Sequence, residues 1–289
     1  MQVELFANVA AFLAVAEPFL LHQEVVNGLA LGVCNALQRG PGRPGRRRGS
    51  AAWLAVVRDE AGEVGLTAVS LNRRLVLATN LAEPETAVSA LIHHMQTEGV
   101  APINVRGPAA ASDAFAHQWA TVTGQPPRPG MQQGVYELQQ VADGLVAEAE
   151  TNGRLRLATA DDYYLVRDWA QQFQHEAVGD DDREAAHLMV AQFVQNQELY
   201  LWEESGQPVT MAAKLRPTPH GIAVGMVFTP SDKRRHGYAC RCVATLSQQL
   251  LDEGRQFCTL LTDLSNPTSN RLYQRIGYRH VADLHEYLL

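Results

Sequence analysis

The spacing of apolar positions changes along the chain, and the changes mark its elements. In the second half, "RLRLA" (154–158) reads as a short strand, and Thr159 stands where an N-cap opens a helix over 160–173. Ala185, Met189 and Phe193 share one face of a second helix, 181–196. Strands at 198–203 and 208–215 follow, joined by the turn "ESGQ", and then a longer strand at 221–229. Ala239, Val243, Leu246 and Leu250 repeat with a period near 3.6, predicting a helix closed by Gly254. "FCTLLT" is a buried strand. "NPTSN" opens a last helix, with Asn266 as cap and Pro267 in the first position, which ends at Gly277. Residues 278–289 read as sheet.

The first half repeats this order. Residues 12–37 are helical, and 51–57, 64–70 and 75–79 are strands. Helix 83–97 ends in "EGV", as the helix through Asp252 ends in "EGR"; the strand "INV" and helix 111–122 follow. The shared order reads as a distant internal duplication, with its boundary in the polar stretch 141–153. The expected units are 1–145 and 150–289, of the α/β (α+β) class, each a mixed central sheet flanked by helices.

Composition changes this picture little. The chain has 289 residues, 46% of them apolar and 19% charged, as in folded globular proteins. Its net charge of −7 argues against nucleic acid or an anionic membrane as partner. No cationic segment precedes an apolar core at the N-terminus, so no signal peptide is expected. The apolar run 25–37 contains Asn27, Gly28 and Asn35 and is too short to span a bilayer, so a cytoplasmic location is expected. Four cysteines without C-x-x-C or zinc spacing read as buried and reduced, with no metal. "GPGRPGRRRG" (40–49) reads as a mobile loop rather than a nucleic-acid contact.

One stretch calls for chemistry. In "SDKRRHGYAC" (231–240), Arg234, Gly237 and Ala239 fit R-x-x-G-x-A between a strand and a helix N-terminus. Such a turn leaves backbone N–H groups unpaired at the positive end of a helix dipole, which suits a phosphate group. Gly237 allows close approach to the backbone.

From about Arg154 to Leu289, the element order and these motifs resemble the GCN5-related N-acetyltransferase (GNAT) family. By that resemblance, "RRHGYA" (Arg234, Arg235, His236, Gly237, Tyr238, Ala239) cradles the pyrophosphate of acetyl-CoA. "NPTSNRLYQRIGY" is similar to the family's second cofactor motif, bringing in Asn266, Ser269 and Tyr273. The backbone of Val227, Phe228 and Thr229 is expected to pair with the pantetheine arm and to polarise the thioester, and Tyr273 is implied as general acid. The first half looks like a degenerate copy: "TNLAEPETA" (79–87) has no glycine, and Trp119 falls near the tyrosine's place. The chain is therefore expected to hold two tandem GNAT-like acyl-CoA N-acyltransferase domains with one cofactor site.

The resemblance implies transfer of an acetyl group from acetyl-CoA to a primary amine of a small molecule or peptide. The alternative is a non-catalytic acyl-CoA-binding or regulatory module. "GIAVGMVFT" lacks the strand glutamate that many members use as base. Glu176, His175 and His220 are candidates by location, and a water chain is an equal alternative. "EAVGDDDRE" (176–184) reads either as a cation-favouring rim of the acceptor site or as an acidic helix start. His93 and His94 read as helix surface. The oligomeric state is not legible.

Overall fold

The computed structural model describes residues 1–39, 52–151, 153–178 and 182–289; the expected loop 40–49 lies outside them. In chain order the elements are β1 (Gln2–Leu5), α1 (Val9–His22), α2 (Gly28–Gln38), β2 (Trp53–Arg58), β3 (Val64–Leu71), β4 (Arg74–Thr79), α3 (Glu85–Thr97), β5 (Asn104–Pro108), α4 (Ala109–Thr123), β6 (Arg128–Leu138) and α5 (Leu145–Glu150). The second half continues with β7 (Arg154–Leu157), α6 (Tyr163–Phe173), α7 (Arg183–Gln195), β8 (Leu199–Glu204), β9 (Gln207–Leu215), β10 (Gly221–Phe228), α8 (Tyr238–Asp252), β11 (Phe257–Asp263), α9 (Pro267–Ile276) and β12 (Arg279–Leu288).

The expected order holds, with local differences. The run 12–37 is two helices, not one. Buried Asn27 donates from Nδ2 to the carbonyl of Leu20 at 3.1 Å, tying the break back onto α1. Thr159 opens a short 3₁₀ turn (Ala160–Asp162) through a reciprocal capping box with Asp162 before α6 begins. Strands β1 and β6 and helix α5 were not foreseen. In β6, Pro129, Gly130 and Gly134 give a composition that reads as a turn.

All the strands of the described residues join one sheet in the order β1-β2-β3-β4-β5-β12-β6-β11-β10-β9-β8-β7. The halves exchange strands. β6 pairs antiparallel with β11, and β12 crosses back to lie between β5 and β6. Helices cover both faces of each half. α1 and α2 pack on one face of β2–β4, and α3 and α4 on the other. α6 and α7 cover one face of the second half, and α5, α8 and α9 the other, where Ala149 of α5 is fully buried.

Polar contacts lock the junction. Asn35 Nδ2 donates to the carbonyl of Pro217 at 2.7 Å. Glu24 accepts from the His220 backbone N–H at 2.9 Å and meets His220 Nδ1 at 2.6 Å. Asp113 of α4 holds both His285 (2.7 Å) and Tyr287 (2.9 Å) of β12. All four cysteines are unpaired and buried, and burial pushes the thiols of Cys34, Cys242 and Cys258 up to about 12. Among the described residues no helix is long and apolar enough to cross a membrane, and no group of three His, Cys, Asp or Glu is placed to hold a metal.

Candidate active site

The site begins where two parallel strands part. β10 and β11 pair only at Gly221–Phe257, Ile222–Cys258 and Ala223–Thr259. Beyond that, β11 follows β6 as far as Asp263, while β10 stays on β9 through a bulge. Met226 takes φ 50° there, and the register jumps from Gly225–Ala213 to Phe228–Met211. Thr210 of β9 fixes the far end. Its hydroxyl donates to the Phe228 carbonyl at 2.7 Å and lies 2.8 Å from the Thr229 hydroxyl. The result is a wedge between strands whose backbone groups have lost their mutual partners.

The loop 231–237 and the start of α8 follow directly on β10. Gly237 has φ 79°, and a side chain placed on it would project into open space. Among the described residues, the backbone N–H groups of 235–240 meet no acceptor. Together with the helix dipole they form a cradle for an oxyanion, and a pyrophosphate fits it on these grounds.

Arg234 braces this loop. Its Nε donates to the Thr229 carbonyl at 2.9 Å, its Nη2 pairs with Glu176 Oε2 at 2.6 Å, and its guanidinium lies 5.8 Å from the centre of the Phe228 ring. Arg235, at φ 69°, is exposed and meets no partner among the described residues. His236 stacks on Tyr238 with ring centres 5.4 Å apart. Tyr238 is turned aside by Glu204, whose acceptance of its hydroxyl, more than burial, raises its pKa; Arg241 pairs with the same carboxylate at 3.2 Å. Ala239, on the first turn, adds no bulk.

α9 supplies the other wall. Asn266 Oδ1 accepts from the Ser269 backbone N–H at 3.1 Å, so the expected cap forms, with Pro267 in the first turn. Tyr273, 9% exposed, packs in one cluster with Cys240 of α8 and with Val227 and Tyr238 at its edge. Its ring meets Tyr278 edge-on at 6.1 Å, and its hydroxyl has no hydrogen-bond partner among the described residues. Burial pushes its pKa up to about 12. The fold thus brings Val227, Tyr238 and Tyr273 into one cluster beside the wedge, with Asn266 and Ser269 at the start of the helix that carries Tyr273.

The residues considered as base are not all gathered there. His220 precedes β10 at the end away from the wedge and is held by Glu24. Glu176 is paired with Arg234. His175 lies exposed beside it on the π-helical turn Gln174–Val178, and residues 179–181 of the acidic stretch are outside the described residues. Thr210 and Glu204 were not foreseen as part of the site. A threonine inside the apolar run "VTMAA" was a readable hint for the first, but the partners of Glu204 are set by strand packing alone.

The corresponding strands of the first half approach each other closely just beyond their paired residues. β4 and β5 pair at Arg74–Asn104, Leu75–Val105 and Val76–Arg106, and they remain in contact one residue later. A Cβ on Gly107 would stand 2.6 Å from the Leu77 carbonyl oxygen. β5 runs straight into α4, whereas residues 264–266 separate β11 from α9. Trp119 is buried and stacks on Phe115 at 5.6 Å.

Residues 203–288 match the family model described as FR47-like protein. The whole chain is similar in structure to an acetyltransferase of the GNAT family from Colwellia psychrerythraea (8% identity, 100% of both chains, TM-score 0.58). It is similar to a GCN5-related N-acetyltransferase from Sphaerobacter thermophilus (17% identity, 99% of this chain and 94% of that one, TM-score 0.60). It also resembles a tandem GNAT protein from the clavulanic acid biosynthesis pathway (11% identity, 100% and 98%, TM-score 0.56). No curated protein sequence matches the chain. At these identities the likeness establishes the fold, which is the tandem GNAT architecture that the motifs implied.

Proposed function

We propose, from this tandem GNAT fold, that the chain transfers an acetyl group from acetyl-CoA to a primary amine of a small molecule or peptide. The observation that carries the reading is the single wedge between β10 and β11, with the unpaired N–H groups of 235–240 at its mouth and Tyr273 in its wall. Acetyl-CoA supplies an activated thioester carbonyl. Residues 235–240 would hold the pyrophosphate, and the backbone of 227–229 would align the pantetheine arm.

The reaction needs two proton movements: the amine loses one as the new C–N bond forms, and the departing thiolate gains one. Tyr273, with a pKa of about 12, stays protonated near neutral pH, which suits a donor and not a base. The amine proton would leave through water, since Arg234 holds the Glu176 carboxylate and Glu24 holds His220. The first half, with β4 and β5 in close approach at Gly107, would serve as scaffold and support of the second.

The reading is tested by thioester consumption with a panel of amines, amino acids and aminoglycosides. Turnover with at least one acceptor, abolished by Gly237→Glu, is the expected result. Tight acyl-CoA binding without turnover on any amine would favour the binding-module reading, which the lack of a carboxylate on β10 motivates.

A further inference from the structure

The loop before α8 ends in a stack of two rings. His236 lies on Tyr238 with ring centres 5.4 Å apart and the ring planes 23° from parallel. The two rings are held very differently. Tyr238 is half-buried at the edge of the core beneath α8, and its hydroxyl is held by Glu204. Arg241, one turn along α8, lies 5.9 Å from the centre of the Tyr238 ring and pairs with the same carboxylate at 3.2 Å. Helix, core and the end of β8 together fix the base of the stack.

His236 is exposed and lies outside the core cluster, so packing does not account for its place. Among the described residues it has no hydrogen bond, no ion pair and no second ring contact. One face of its imidazole rests on Tyr238, and no ring covers the other. A ring held flat at the surface on a fixed neighbour is a preorganised platform for a further flat group.

The position of the platform beside the phosphate cradle indicates which group that is. The strands here run in the order β11-β10-β9-β8, with the wedge between β11 and β10. Glu204 is the last residue of β8, on the other side of β10 from the wedge, and it draws the Tyr238 ring that way. The stack therefore stands next to the free N–H groups of 235–240 but turned away from the wedge. A pyrophosphate seated on those groups has two arms. In acetyl-CoA one arm is pantetheine, which enters the wedge. The other is a phosphorylated adenosine, whose base is flat.

We propose that His236, supported by Tyr238, stacks against the adenine of the cofactor and makes the site selective for a thioester that carries a nucleotide, against thioesters of 4′-phosphopantetheine alone. The proposal takes its ligand from the acetyl-transfer reading and rests on it. The cradle grips phosphate, which both kinds of thioester possess, whereas only the nucleotide reaches His236. Stacking depends on ring area and planarity and not on a directed hydrogen bond, so another aromatic ring can replace the imidazole.

The test is calorimetric titration of the full chain with coenzyme A and, separately, with 4′-phosphopantetheine. Wild type, His236→Ala and His236→Phe are compared. His236→Ala should weaken coenzyme A binding about fivefold or more, the loss expected for one stacked base, and leave 4′-phosphopantetheine within about twofold of wild type. His236→Phe should keep coenzyme A within about twofold of wild type, because the platform is retained. All three proteins should melt alike without ligand, since the side chain is exposed. An equal loss for both ligands in His236→Ala would make the histidine part of the phosphate grip, and no loss for either would leave it without a role in binding. Each of these results overturns the proposal while the acetyl-transfer reading stands. A loss of coenzyme A affinity in His236→Phe as large as in His236→Ala overturns it too. If wild type binds neither ligand, the acetyl-transfer reading falls and the proposal with it.

Discussion

The Tyr278 hydroxyl and Ser247 Oγ share a buried hydrogen bond of 2.8 Å, while Tyr273, in edge contact with the same Tyr278 ring, has no partner for its hydroxyl among the described residues. The two tyrosines lie in one cluster but are placed for different tasks. Tyr278→Phe leaves a buried serine hydroxyl unpaired and should lower stability by about 1–2 kcal/mol in urea unfolding. Tyr273→Phe should leave stability and coenzyme A affinity nearly unchanged while turnover falls, on the order of 10²-fold. Equal turnover in the Tyr273 and Phe forms would remove the general-acid role.

Gly237→Glu should abolish the rise in melting temperature that acetyl-CoA gives wild type. At φ 79° any side chain costs about 1–2 kcal/mol, and this one brings a negative charge to the phosphate cradle. The unliganded variant should still fold, since a Cβ there meets no neighbour within 4 Å. An undiminished thermal response to acetyl-CoA would move the cofactor site elsewhere.

Asp162 closes the capping box that opens the α6 segment and is paired with Arg156 at 2.7 Å. Hydrogen bonding from Arg156, against burial and aided by Thr159, holds its pKa at about 2. Because the folded value lies below the unfolded one, the stabilisation is complete above about pH 4 and is lost as pH falls towards 2. Asp162→Asn should cost about 2 kcal/mol at pH 7 and flatten the urea midpoint between pH 5 and 2.5. A variant as acid-sensitive as wild type would contradict this.

Glu24 is the clamp between the halves. Burial alone would raise its pKa, but hydrogen bonds from Thr218 and from the His220 backbone and ring outweigh burial and hold it below its ordinary value. Its contribution is present above the ordinary carboxylate range and disappears as pH falls through the lowered pKa. Glu24→Gln should reduce stability by about 1–3 kcal/mol at neutral pH while leaving acetyl-CoA binding intact, because the clamp lies at the end of β10 away from the wedge. A change in cofactor affinity as large as the change in stability would show that the junction and the wedge are coupled.

What could be read without coordinates was local. The 3.6 and 2.0 periods marked most helices and strands, and Asn266 with Pro267 and Gly277 marked both ends of α9. "RRHGYA" marked an anion-binding turn, because a left-handed glycine before a helix is a demand on single residues. Tertiary structure decided the rest. The period of β6 is masked by Pro129, Gly130 and Gly134, and its place beside β11, like that of β12 beside β5, depends on strand register between residues over a hundred positions apart. The close approach of β4 and β5 rests on Gly107 beside Leu77, and the bracing of Arg234 on Glu176, 58 residues away. These contacts are properties of the packed chain, made between segments far apart in sequence, and local spacing carries no record of them.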